Sequence, residues 1–183
     1  MNEIKNLEAS IRQRLLKRAK TENRPFVDIL QYYANERFLY RLSQSKYAQS
    51  FILKGAFVFL GLDLVLPRPT RDLDFLAYTE NEIDHITQII LEVCRQKVEE
   101  DGLRFDENSI RAELTQQGRS YSGIHIKLLA YLGKSKIDMS LDIGFGDRIT
   151  PQPLDLQIPP LLNSFQSVSL RGYPPETIVA EKF

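Results

Sequence analysis

The sequence predicts an α+β fold in which two N-terminal helices precede a run of strands. Three observations carry this. Residues 6–45 place apolar side chains at every fourth position, residues 110–143 alternate between apolar and polar, and Gly102 marks the change of period. The 183 residues, 43% hydrophobic and 26% charged, suffice for one domain with a substantial core and no disulfide.

The elements follow in chain order. Leu7, Ile11, Leu15 and Ala19 form one stripe of a helix over residues 6–23, which Pro25 interrupts. Phe26, Leu30, Ala34, Phe38 and Leu42 make the apolar face of a second helix, Phe26–Ser45. Together they predict an N-terminal helical layer (1–48) packed on a core of residues 49–183. Phe51–Leu53 is a short buried strand ending at Gly55, and Ala56–Leu62 reads as a helix. Pro67 and Pro69 force a loop. Asp72–Ala77 returns as a strand with Leu73 and Phe75 inward. Thr79 and Glu82, three residues apart, match a capping box opening a helix that carries Ile83, Ile86, Ile90 and Val93. Beyond Gly102, Ile110, Ala112 and Leu114, then Ile124–Leu132, then Ile137–Ile143 alternate as antiparallel strands, with Gly133, Lys134 and Ser135 as one turn. Six prolines in residues 144–175 predict a long extended surface connection, followed by a helical start at Glu176. That last helix has barely one turn by Phe183, which suggests a continuation beyond it.

Charge favours no partner by its total, since 24 Lys and Arg balance 24 Asp and Glu. Its placement is uneven. Lys5, Arg12, Arg14, Lys17, Arg18, Lys20 and Arg24 crowd the first segment, either as a patch for nucleic-acid phosphates or as a solvated helix face. The single Cys94 cannot form an internal bridge and lies in an apolar helical pattern, as a buried structural thiol would. Nothing at the N-terminus resembles a signal peptide, and Phe51–Leu66 is too short and too polar to cross a bilayer. A cytoplasmic protein is expected.

The most informative chemistry is Asp-x-Asp at Asp72 and Asp74. Residues two apart on a strand share a face, so both carboxylates project together while Leu73 and Phe75 anchor the other side. Two like charges at that spacing favour a cation between them, and an oxygen-only pair suits Mg²⁺. A calcium loop is excluded because its fifth and sixth positions would be Leu76 and Ala77. Asp138, Ser140 and Asp142 repeat the pattern on a later strand. Asp142 is preferred as a third metal ligand because Gly144 and Gly146 follow it, where backbone can open toward a ligand. Three acids would suit a two-metal displacement at phosphorus. Upstream, Gly55 ends a strand and opens a helix, where backbone N–H groups face a phosphate; Lys54 and Arg71 flank it and would neutralise a triphosphate. His85 reads as a surface histidine. His125 alternates outward and could face the site, although the acids already supply the chemistry.

These parts resemble the AbiEii/AbiGii toxin family of nucleotidyltransferases. The resemblance runs through Ala9–Ile11, Glu36–Ser43, Phe51–Ala56, Arg68–Asp74, Leu141–Asp147 and Tyr173–Phe183. It implies a nucleotidyltransferase fold, a mixed β-sheet flanked by helices. It further implies Mg²⁺ (or Mn²⁺) on Asp72, Asp74 and Asp142, an NTP held through Gly55, and a phosphate contact from Lys182. Where many relatives carry Gly-Gly or Gly-Ser, this chain has Gly55 and Ala56, which leaves the backbone donors free but lacks a hydroxyl. The implied activity is NMP transfer from an NTP to a hydroxyl on RNA, such as tRNA, by the toxin of a toxin–antitoxin or phage-defence system opposed by an antitoxin. The competing expectation is a catalytically silent relative that binds nucleotide or a protein partner.

Overall fold

The computed structural model describes residues 3–62, 70–117, 121–146 and 149–180. Its elements are α1 (Glu3–Thr21), α2 (Phe26–Gln44), β1 (Phe51–Lys54), α3 (Phe57–Leu60), β2 (Asp72–Ala77), α4 (Ile83–Cys94), β3 (Leu103–Gln117), β4 (Tyr121–Leu132), β5 (Ser135–Phe145), β6 (Leu154–Ile158), β7 (Val168–Gly172) and α5 (Pro175–Ala180). The described strands form one sheet in the order β3-β4-β5-β2-β1-β7-β6. Pairing is parallel between β2 and β5 and between β1 and β7, and antiparallel elsewhere, so the sheet is mixed as expected. The loop predicted from Pro67 and Pro69 lies outside the described residues.

Helix α2 is the centre of the helical layer. It touches α1, α4, β5 and β7, and every residue along its middle, from Tyr32 to Leu42, is buried. An apolar stripe alone would not survive that envelopment, because Glu36, Arg37 and Arg41 are buried as well. Each finds a charged or backbone partner. Arg41 grips Asp101 with two bonds of 2.6 and 3.0 Å, and Glu36 pairs with Arg37 while accepting the Leu161 N–H at 3.3 Å. Buried charges persist only when paired in this way.

Four local expectations are corrected. The capping box does not form: Glu82 is the N-cap, without a side-chain bond, and Thr79 Oγ1 instead meets His85 Nε2 at 2.8 Å. The helix starts three residues after Thr79's proposed first turn, where Ile86, Ile89, Ile90 and Val93 can all reach the core. His85 is of intermediate exposure and keeps a place at the surface. Residues 144–175 hold two strands, not one connection; the prolines bound β6 and β7 without entering them. Strand β3 begins at Leu103, well before Ile110, and a bulge between Asp106 and Arg111 breaks the alternation that would have revealed it. The helix expected over Ala56–Leu62 shrinks to the single turn of α3. α5 starts at Pro175, whose fixed φ and missing N–H suit a first helical position.

Candidate active site

The sheet's register assembles a polar row. Lys54 on β1 is opposite Asp74 on β2, Asp74 is opposite Asp142 on β5, and Asp142 is opposite His125 on β4. Neighbouring strands lie about 5 Å apart, so the four side chains stand side by side on one face. A second row runs two residues away, with Asp72 opposite Ser140 and Ser140 opposite Lys127. Leu73, Phe75, Leu141 and Ile143 alternate with these residues and are almost wholly buried, which pins the polar residues to the opposite face. Three carboxylates separated by as many as 70 positions in the chain thus occupy adjacent strands.

Asp72 and Asp142 are each held by a neighbouring side chain. Ser140 Oγ donates to Asp72 Oδ1 at 2.8 Å, and His125 Nδ1 lies 2.6 Å from Asp142 Oδ1. An ionised carboxylate only accepts, so the proton of that contact sits on Nδ1. The backbone of Gly55 lies close against Asp74. Gly55 adopts φ +68°, and a Cβ built on it would overlap Asp74 Oδ2 and lie 3.0 Å from its Cγ. The third carboxylate therefore rests against bare backbone at the end of β1. Lys54 Nζ is 4.8 Å from the centre of the Tyr173 ring, and the Tyr173 N–H donates to Leu53 O at 2.9 Å. Ala56 carries αR backbone at φ −66° and ψ −30° and leads into α3.

Arg71 is exposed at the entry to β2, and its carbonyl accepts the amide of fully buried Asn35 at 3.1 Å. Helix α2 thereby fixes the start of the strand bearing both aspartates. Asp138 is 81% exposed and stands two residues from Ser140, beyond Asp72 and away from Asp74. Its position separates it from the row that contains Asp142. Lys182 lies outside the described residues.

Among the described residues no three His, Cys, Asp or Glu side chains already form a metal cage. The donor set nonetheless fits a hard cation. Oxygen ligands predominate, and Asp74 and Asp142 are register partners whose like charges a divalent ion would relieve. Sequence reasoning noted His125 only as a residue that could face the site and did not single out Tyr173 or Asn35. His125 was marked only by its outward position in an alternating strand; its partner is a residue 17 positions later, visible only once β4 and β5 pair.

A search of curated protein sequences gives no match. JHP933 from Helicobacter pylori is similar at 16% identity and TM-score 0.49, covering 82% of this chain and 56% of that one. A structure described as a candidate nucleotidyltransferase from H. pylori is similar at 16% identity and TM-score 0.47, covering 82% and 57%. The chain thus spans little more than half the length of either. No described helix is long and apolar enough to cross a membrane. The sequence profile of the nucleotidyl transferase AbiEii toxins of type IV toxin–antitoxin systems matches residues 37–183, four-fifths of the chain, and the chain belongs to that family.

Proposed function

We propose that the protein is a Mg²⁺-dependent nucleotidyltransferase that moves NMP from an NTP to a hydroxyl on RNA, tRNA being the expected class. The observation that supports it best is the pairing of Asp74 with Asp142, beside Asp72 and against the bare backbone of Gly55. Residues 49–183 form the catalytic core in this reading, and 1–48 the helical layer. Family membership further suggests a cognate antitoxin, a cytoplasmic setting where NTPs are available, and a role in restraining growth or phage.

Asp72, Asp74 and Asp142 would hold Mg²⁺ (or Mn²⁺). When bound, the metal supplies charge neutralisation at the triphosphate and a lowered pKa for the attacking hydroxyl. The chain's own residues do the rest. Lys54 on β1 and Arg71 at the start of β2 offset triphosphate charge, and the end of β1 at Gly55 and Ala56 lets backbone approach the phosphates. Lys182 would add a further phosphate contact. Ser140 and His125 hold the carboxylates of Asp72 and Asp142 in fixed orientations. The acceptor oxygen forms a bond to the α-phosphorus as its proton passes to solvent, the bond from that phosphorus to the bridging oxygen breaks, and pyrophosphate leaves with that electron pair.

The test is incubation of the protein with Mg²⁺, each α-labelled NTP and total RNA, with Asp74→Asn and EDTA as controls. Label should enter RNA only with wild type and metal. Equal labelling by wild type and Asp74→Asn would refute the chemistry. Retained NTP binding without labelling would instead support the silent relative, in which Asp72 and Asp142 keep their Ser140 and His125 bonds.

A further inference from the structure

The basic residues of α1 fall into two groups with different partners. Arg14 donates to Ser164 Oγ at 2.8 Å, and Arg18 to Leu161 O, so this stripe fastens α1 to the segment between β6 and β7. The other stripe faces an open depression of about 520 Å³ lined by Leu16, Ala19, Lys20, Arg24 and Phe26. The Arg12 guanidinium lies over the Phe26 ring, 5.2 Å from its centre. Arg12 and Lys20, eight residues apart, share a helix face and are both exposed. Between residues 7 and 24 there are six cations against only Glu8 and Glu22.

Along the chain, this depression leads to a cleft at the Asp72 end of the candidate active site. Phe26 lines the depression, and the next two residues, Val27 and Asp28, line the cleft of about 290 Å³ whose far wall is Arg71, Asp72 and Ser140. Val27 is 61% exposed there. The cleft is at the small end of ligand sites and holds roughly one nucleoside unit, too little for a duplex end. Its own charges nearly balance, with Arg71 and Lys136 facing Asp28, Asp72 and Asp138. The cationic surface lies outside it, on α1 and at Arg24 just beyond its end, where Glu22 stands 3.7 Å from the Arg24 guanidinium.

We infer that the single-stranded end of an RNA acceptor enters the cleft at Asp72 while the phosphates behind it run over the Arg12, Lys20 and Arg24 surface. This rests on the nucleotidyl-transfer reading for what the strand is presented to. Phosphate attraction supplies the affinity, and the Arg12–Phe26 pair offers a flat cationic surface on which a base can stack.

The experiment titrates a 5′-fluorescein single-stranded RNA into the protein by fluorescence polarisation between 50 and 200 mM salt, without NTP. Arg12→Glu/Lys20→Glu should weaken binding at least about tenfold at low salt and reduce the salt slope by about 1.4, as loss of two phosphate contacts predicts. Arg14→Gln, on the other stripe, should bind within about twofold of wild type. Thermal melts confirm that the variants are folded. Wild type that fails to bind, a double variant that binds like wild type, or an equal loss in Arg14→Gln each overturns the surface. Nucleotidyl transfer is followed in parallel. RNA binding lost in the double variant while wild type transfers no label keeps the surface and removes the chemistry. Transfer by wild type with an unchanged KM for RNA in the double variant removes the surface alone.

Discussion

Replacing Gly55 by Ala separates the stability of the fold from the geometry of its site. Gly55 sits at φ +68°, where an L-residue costs about 1–2 kcal/mol. For a chain of this length that lowers the melting temperature by about 2–8 °C. The new methyl would also overlap Asp74 Oδ2. That oxygen ends a side chain able to rotate, so the fold loses little beyond the backbone term. The site loses more, because the carboxylate must move on the order of 1 Å, a displacement that can cost about 100-fold in rate. The assay pairs thermal melting with NTP-dependent labelling of RNA and with Mn²⁺ binding, using Asp74→Asn for comparison. A folded Gly55→Ala protein that transfers nucleotide at the wild-type rate would show that the contact between Gly55 and Asp74 does not shape the site.

Other outcomes test other parts of the structure. Asp142→Asn should abolish labelling while leaving the melting temperature within a few degrees, because this carboxylate is 40% exposed; retained labelling would remove it from the site. His125→Ala should lower kcat by about 10–100-fold with little change in KM for NTP, as expected for a group that positions a metal ligand. An unchanged kcat would make the His125–Asp142 bond merely structural. Asp101→Asn leaves the buried Arg41 guanidinium without its charged partner and should cost about 3–5 kcal/mol in urea unfolding; a loss under about 1 kcal/mol would contradict the pairing. Burial pushes the Cys94 thiol from its ordinary 9.0 up to about 12, so at pH 8 the thiolate is about a thousandfold scarcer than in the unfolded chain. Alkylation of native protein should be slower by a similar factor, and equal rates would place Cys94 in solvent.

Much of the fold was legible because its signals are local. Helices α1 and α2, the strand bearing Asp72 and Asp74, and the meander from β3 to β5 all follow from repeats of four or two residues, and the structure places their boundaries close to those expected except at the start of β3. Asp142 was separable from Asp138 because glycines follow it. The failures have equally physical causes. In β3 a bulge puts buried Ile110 five positions after buried Phe105, and no alternating pattern survives that shift. In β6 and β7 the flanking prolines dominated, although each lies outside the strands themselves. Thr79 and Glu82 had the spacing of a cap, but burial of the isoleucine face decided where α4 begins.

What the residues alone determined is which carboxylates share a face, since alternation along a strand depends only on neighbours two positions away. Tertiary structure decided which strands meet: β2 beside β5 in parallel, Asp74 level with Asp142, and His125 one strand further. That register is set by burial of Leu73, Phe75, Leu141 and Ile143 against the helical layer. A slip of one residue would turn every one of them outward, and no short stretch of sequence contains that constraint.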